Sequence, residues 1–485
     1  MQTYEMLIGG EWTKASPRKT FDVFDPATSK VIAKVPEASP ADVDRAVKAA
    51  RAAFDGGWRD ATAQERGRIL LRLAQKMRDE LPRLAELETR NSGKPIVESE
   101  YDLTDVATCF EYYGGLATKL HGQVLPVPDN AISLALREPL GVAGQIIPWN
   151  YPLLMAAWKL APAICAGCSM VIKPAEQTPL TLLEFARFFE ECGLPKGVVN
   201  VVTGFGATGA AIVSHPDVDK IAFTGSLEVG KVIMKNASAT LKKVSLELGG
   251  KSPNIFFADA DFEAAVDGAL FGVFVNQGEV CSAGSRVLIQ RPIYKKMLDA
   301  MVEKAKTIKL GSGFDRSNKM GPVVSKEQMN RILKYQRIGK GEAKVAVGGG
   351  RATGKGLDKG YFVQPTIFYD VDNSARIARE EIFGPVMSVI PFDDEAQALK
   401  IANDTPYGLA AAVWSRDIFK CFRVVKRLQA GIVWVNHMQP TYVEAPWGGY
   451  KMSGVGRELG PWGAEEYMQI KQVHINLNET PIGWY

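Results

Sequence analysis

Histidine is scarce in this 485-residue chain: four residues, at 121, 215, 437 and 474, stand far apart. So sparse a set supports neither a metal centre nor a Ser-His-Asp hydrolase. An excess of one charge is also missing, since 58 lysines and arginines face 54 acids. A net charge of +4 over this length gives no footprint for nucleic acid or an anionic membrane. Long apolar runs are absent as well. The most membrane-like window, Leu153 to Ile172, is interrupted by Lys159 and Pro162 and reads as buried core. The opening MQTYEMLIGGEW has no basic region followed by an apolar run, so no secretory signal is expected. Six cysteines, at 109, 165, 168, 192, 281 and 421, form no disulfide framework and fit a reducing compartment, the cytoplasm. Cys165 and Cys168 spell CxxC, but inside the alanine-rich APAICAGCSMV they read as packing residues rather than zinc or redox thiols. No internal repeat or low-complexity segment is visible.

What remains is an ordinary globular composition, 46% hydrophobic and 23% charged, at a length that predicts about three domains. The first thirty-odd residues read as short strands with a turn at Asp25-Pro26, and Pro40 to Phe54 as a helix. Residues 62 to 91 carry Ile69, Leu70, Leu73, Met77, Leu81, Leu84 and Leu87 near a 3.6 period, with Thr62 and Glu65 spaced as a capping box. Residues 98 to 119 read as a further helix and 120 to 138 as extended chain. From Gly141 to about Leu248, strands alternate with helices at 152–166, 179–192, 206–214 and 227–238. A second alternation runs from Asn254 to about Val435, with strands NIFF, RVLIQ, YFVQPTIF, VMSVIPF and GIVWVN. Such alternation predicts parallel sheets with crossover helices. The glycines at 348–350, with Gly354, Lys355 and Gly356, read as a flexible surface turn.

Chemistry concentrates between Val244 and Arg286. Glu247 opens ELGGK, and Cys281 follows 34 positions later among Gly278, Ser282, Ala283 and Gly284. Both stand among small residues that let a ligand approach. A thiolate attacks carbonyl carbon well, and a positioned carboxylate can drive water onto the resulting thioester.

LELGGKSPNI followed by NQGEVCSAGSR resembles the paired signature of the NAD(P)-dependent aldehyde dehydrogenase superfamily. PWNYP at 148–152, KPAEQTP at 173–179, FTGS at 223–226, EEIFGPV at 380–386 and PWGGYKMSGVGRE at 446–458 extend the likeness over nearly the whole chain. The motifs are most similar to those of betaine-aldehyde and aminoaldehyde dehydrogenases. The resemblance implies an α/β fold with two parallel-sheet, Rossmann-like domains and a small β oligomerisation arm. Residues 1–119 and 139–248 would form a discontinuous NAD-binding domain, 249–450 the catalytic domain, and 120–138 with 467–485 the arm. Exposed strand edges in the arm need partners, so a homodimer or homotetramer is expected.

By the same resemblance Cys281 is the nucleophile, Glu247 the base, Asn150 an oxyanion donor with the backbone N–H of Cys281, and Glu458 with Lys159 a proton path. Lys173 and Glu176, after the apolar strand SMVIK, would hold the adenosine ribose. A carboxylate there repels a 2′-phosphate, so NAD is expected over NADP. Glu381 would meet the nicotinamide-side ribose, with Phe383 beside it. Gly204, Gly206 and Gly209 spell GxGxxG after VVNVV, but no acid stands about twenty positions on at the end of a following strand, so the simple fingerprint fails. The resemblance places the pyrophosphate at Gly225 and Ser226 instead, with Gly206 and Gly209 as lining. Ile147, Trp149, Phe223, Val229 and Leu248 complete the cofactor candidates. No metal ligand set is expected.

Tyr151, Trp158 and Trp447 match aromatic positions that box a trimethylammonium or amine in those relatives, while the fourth wall is Val275 here. Aromatic faces attract such cations by roughly 0.5–2 kcal/mol each. Asp102 and Asp105, three apart, share a helix face that reads either as solvated or as an anionic rim drawing cationic substrates. A broad aliphatic or aromatic aldehyde dehydrogenase is the alternative. A CoA-acylating enzyme would lack Glu247, and a silent structural relative would lack Cys281.

Overall fold

The computed structural model describes residues 2–354 and 356–485; Met1, and Lys355 within the expected glycine turn, lie outside the described residues. Within the same glycine segment, Gly349 donates to Thr366 Oγ1 at 2.9 Å, which ties it to the neighbouring strand.

The described strands form sheets of eight, seven, three and three. In the eight-stranded sheet the strands Val142–Ile146, Ser169–Lys173 and Val199–Val201 run outward to one side. The chain then crosses back and lays Lys220–Thr224 and Lys243–Glu247 on the other side of Val142–Ile146, all parallel. A switch point therefore lies between Val142–Ile146 and Lys220–Thr224, and crevices at such points are where α/β sheets bind ligands. The edges are antiparallel: Met6–Ile8 and Glu11–Thr13 on one side, Gly454–Val455 on the other. The sheet is thus mixed, where alternation alone predicted a parallel one. Val455 pairs with Leu246, and Gly454 with Glu247, so chain from beyond the second sheet closes the first.

The seven-stranded sheet is built on Pro253–Phe256, Arg286–Gln290, Thr366–Tyr369, Val386–Phe392, Ala410–Trp414 and Ile432–Val435, all parallel, with Lys344–Val347 antiparallel at one edge. Of YFVQPTIF only Thr366, Ile367 and Phe368 belong to this strand, because Pro365 cannot donate to a ladder. Ala410–Trp414, buried throughout, is a strand that the sequence pattern did not single out.

Helix Pro152–Ala166 matches its expected bounds and is buried along its whole length, which explains the membrane-like window. Proline opens it and left-handed Gly167 closes it. No helix among the described residues is long and apolar enough to cross a membrane. Helix Ala63–Ser92 starts with the anticipated box: Thr62 Oγ1 accepts from the Glu65 N–H and Glu65 Oε2 from the Thr62 N–H. The segment expected as helix 179–192 is helical only over Leu180–Ala186. Beyond it Phe188 and Phe189 turn onto Phe185, and left-handed Gly193 ends the segment. The extended segment 120–138 and the residues after 467 form one antiparallel sheet, Gln123–Leu125 against Ala131–Pro139 against Met468–Asn476.

Candidate active site

Glu247 ends a strand of the first sheet, whereas Cys281 precedes the strand Arg286–Gln290 of the second. The carboxyl ends of one sheet therefore face the amino ends of the other. A cavity of about 640 Å³ occupies this junction, and Asn150, Glu247, Cys281 and Glu458 all line it.

Cys281 is half-buried at the end of a strained turn. Asn276, Gln277 and Gly278 have φ of 48, 56 and 73°, three successive left-handed residues. Each non-glycine residue there costs roughly 1–2 kcal/mol, so the surroundings must hold the turn. The Asn276 N–H donates to Glu98 Oε2 at 3.0 Å, and Gln277 Oε1 accepts from the Gly321 N–H at 3.3 Å. A Cβ at Gly278 would collide with the backbone of Gly384. At Gly250 a Cβ would stand 2.7 Å from the Cys281 carbonyl oxygen, so the second glycine of LGG allows the two signature segments to touch. Burial first, then the Glu381 and Glu247 carboxylates, push the Cys281 thiol up to about 12; the backbone N–H groups of Ser282 and Cys281 act the other way.

The Glu247 carboxyl is buried, and its Oε2 has no hydrogen-bond partner among the described protein groups. Burial and the Glu458 charge hold its pKa well above the carboxylate range, against the pull of Lys159 and Arg457. A Cβ at Gly448 would stand 2.9 Å from Glu247 Oε1, so only glycine leaves the carboxyl room. Glu458 Oε1 accepts from Lys159 Nζ at 2.6 Å, and Lys159 also donates to Thr224 Oγ1 at 2.7 Å. Glu458 Oε2, like Glu247 Oε2, is unpartnered. Glu458, which lines the cavity with Glu247, is thus joined through buried Lys159 to Thr224.

Asn150 Nδ2 donates one hydrogen to the Glu279 carbonyl at 2.8 Å, which fixes the amide and leaves its second hydrogen free. Its own carbonyl accepts from Asn276 Nδ2 at 3.1 Å and Lys94 Nζ at 2.9 Å. Lys94 pairs with Asp102 Oδ2 at 2.6 Å, both side chains buried. Both readings of Asp102 are thereby corrected: it is neither a solvated face nor a free anionic rim, but the buried partner of a lysine. Asp105, half-buried, does line the cavity, and burial with the Asp102 charge pushes its carboxyl up to about 6.

The cofactor candidates fall into two groups. Trp149, Gly225, Ser226, Leu248, Glu381 and Phe383 line the cavity. Ser226 caps helix Leu227–Ala237, its Oγ accepting from the Val229 N–H at 3.4 Å, so a helix start faces the junction, as anion binding requires. Glu381 Oε1 accepts from the Gly250 N–H at 3.0 Å, and burial pushes its carboxyl up to about 7. Trp149 and Phe383 meet edge-on at 5.1 Å. Ile147, Lys173, Glu176, Gly206, Gly209, Phe223, Val229 and, from the proton chain, Lys159 stand outside that lining. Lys173 and Glu176 pair at 3.6 Å at the carboxyl end of Ser169–Lys173, and a Cβ on Gly209 would stand 3.8 Å from Lys173 Cδ. Around Gly206 the space is open. A helix start at the switch point with acids on either side fits a dinucleotide and its two riboses.

Trp158 and Trp447 meet at 5.4 Å, and Tyr151 and Val275 line the same cavity. Three aromatic residues outside the sequence-based set also line the cavity: Phe271, one helical turn before Val275, Tyr101, beside Asp102, and Tyr407. Helical spacing from Val275 was the available signal for Phe271.

A model described as the aldehyde dehydrogenase family matches residues 12–473. The chain is 48% identical to the betaine aldehyde dehydrogenase of Bacillus subtilis (strain 168), over 99% of each chain. It is 46% identical to a peroxisomal aminoaldehyde dehydrogenase 2 of Pisum sativum, over 100% of this chain and 98% of that one. A mitochondrial aldehyde dehydrogenase of Homo sapiens is 50% identical, over 98% and 92%. A crystal structure of betaine aldehyde dehydrogenase from Staphylococcus aureus in complex with NAD+ superposes with a TM-score of 0.98 at 46% identity, over 99% of this chain and 96% of that one.

Proposed function

The chain belongs to the aldehyde dehydrogenase family, and we propose that it oxidises a cationic aldehyde, betaine aldehyde or an ω-aminoaldehyde, to the carboxylic acid with NAD. The observation that carries this reading is one cavity shared by Cys281, Glu247, the Asn150 amide, the Trp158–Trp447 pair and Asp105.

The Cys281 thiol gives its proton to water in the cavity, and the thiolate bonds to the aldehyde carbon as the carbonyl π bond breaks onto oxygen; the oxygen that becomes negative receives the free Asn150 hydrogen and the Cys281 N–H. NAD, when bound, takes up the hydride that leaves this carbon, and a thioester on Cys281 remains. Glu247 in its ionised form removes a proton from water as the water attacks the thioester. The carbon–sulfur bond breaks, the acid leaves, and the sulfur is restored. Glu458 and Lys159 supply the next sites for that proton. Glu176 accepts ribose hydroxyls and disfavours a 2′-phosphate, which selects NAD over NADP.

The aromatic walls and Asp105 suit a cationic tail. Val275, where those relatives often place a fourth aromatic wall, and the 50% identity to the human mitochondrial enzyme favour a second reading, broad action on apolar aldehydes. Comparing kcat/KM for betaine aldehyde, an ω-aminoaldehyde and hexanal decides between them: a cationic preference is expected, and equal or reversed values discard the box. The exposed Val124 and Ile470 on the three-stranded arm sheet support pairing between copies as a homodimer or homotetramer. The buried free thiols suit the reducing cytoplasm.

A further inference from the structure

Lys94 has no role in the chemistry above, yet its ammonium group sits at 0% exposure between the nucleophile turn and the substrate wall. It lies in the turn between helices Ala63–Ser92 and Ile96–Leu116. That turn cannot shift easily. Gly93 is left-handed with φ 88°, a Cβ there would stand 2.8 Å from Pro322, and a Cβ on Gly313 would collide with the Lys94 carbonyl. The lysine backbone is therefore anchored independently of the cavity.

The ammonium has three hydrogens, and the structure supplies three acceptors. Asp102 Oδ2 lies at 2.6 Å, the Asn150 carbonyl oxygen at 2.9 Å, and the Tyr151 ring centroid at 4.2 Å. One charge thus grips the peptide that carries the oxyanion donor and the ring beside it. Asn276 Nδ2 adds a second bond to the same carbonyl, while the Glu279 carbonyl orients the Asn150 amide from the other side. The Lys94 charge also acts on Glu88, Glu98, Asp102 and Glu279, four carboxyls that burial pushes up. Burying a lysine is costly unless it is fully paired, so this pairing holds a set geometry rather than a sliding one.

We infer that Lys94 is a positioning residue for the oxidation: through its bond to the Asn150 carbonyl, and with Asp102 as its counter-ion, it holds the Asn150 amide where the oxyanion forms. This rests on the reading of Asn150 as the oxyanion donor. The residue touches neither substrate nor cofactor, and its effect passes through Asn150. A shift of about 1 Å in such a group costs about 100-fold.

The test is a double-mutant cycle read in the pre-steady-state burst of NADH with betaine aldehyde and with hexanal. Lys94→Met alone strands Asp102 as an unpaired buried acid and can unfold the protein, so the deciding variant is K94M/D102N, which removes both charges of the ion pair together. The expected burst rate falls about 10- to 100-fold with both aldehydes, while NAD affinity, read by tryptophan fluorescence, stays at the parental value. In an Asn150→Ala background, adding K94M/D102N costs less than twofold, because the amide that Lys94 positions is already gone. A full burst rate in K94M/D102N, or losses that multiply with those of N150A, would overturn the role of Lys94. An undiminished burst in N150A alone would instead remove the reading of Asn150, and Lys94's role with it.

Discussion

Replacing Glu247 with glutamine separates the two halves of the proposed reaction. The side chain keeps its size beside Gly448, where a Cβ would already stand 2.9 Å from Oε1. No protein hydrogen bond is lost at Oε2, which has none among the described residues. Thiol attack is not slowed either, because Glu247, where it is ionised, is one of the groups that push the Cys281 thiol up. Only the proton acceptor for water disappears, a loss typically of ~10²- to 10⁴-fold. At about 1.36 kcal/mol per decade this raises the hydrolytic barrier by about 3–5 kcal/mol. Rapid mixing of the variant with NAD and betaine aldehyde is expected to give one NADH per subunit in a burst no slower than the parent's. A steady phase slowed by that factor follows, and intact mass shows an acyl group on Cys281. Loss of burst and steady phase by the same factor would place Glu247 in the first half-reaction and refute the assignment.

Three further outcomes follow from the acids at 381, 98 and 176. Glu381→Gln removes the larger of the two charges that raise the Cys281 thiol, so iodoacetamide should alkylate the cofactor-free variant faster at pH 8.5; an equal or slower rate refutes the electrostatic account. The Glu98 carboxyl is pushed up to about 8 from 4.5, so the folded protein binds the extra proton between those values. Its stabilising effect is complete below 4.5 and lost as pH rises through about 8. Melting temperature should therefore fall less steeply from pH 6 to 9 in Glu98→Gln than in the parent, and parallel curves would contradict this. Glu176→Gln should raise kcat/KM with NADP relative to NAD; an unchanged ratio would separate Glu176 from the ribose.

The sequence made some of this legible for local reasons. Helix Pro152–Ala166 was readable to the residue because a proline and a glycine punctuate it, and Thr62 with Glu65 announced a helix start three residues apart. The cavity's chemical groups were legible as motifs: Cys281, Glu247 and Asn150 stand in short runs of unusual composition. Their supports were not. Lys94 drew no reading at all and Asp102 read as a solvated face or an anionic rim, since burial of an ion pair depends on what packs over it. The left-handed residues Asn276 and Gln277 carry no glycine to betray their conformation. Gly454–Val455 is two residues long, too short for any period to show, and helix 179–192 was shortened by phenylalanine packing that helical spacing alone does not reveal.

That two-residue strand has a consequence for how the protein comes into being. Its pairing with Leu246 and Glu247, and the grip of Glu458 on Lys159, bring residues some two hundred to three hundred positions downstream into the wall around the carboxyl. On a ribosome, the emerging chain can fold the middle of its first sheet while that wall is still missing. The thiol at 281 is thus exposed to the cell before the groups that complete its surroundings have been made, and the cavity is complete only as residues beyond 450 are threaded back onto a sheet begun long before.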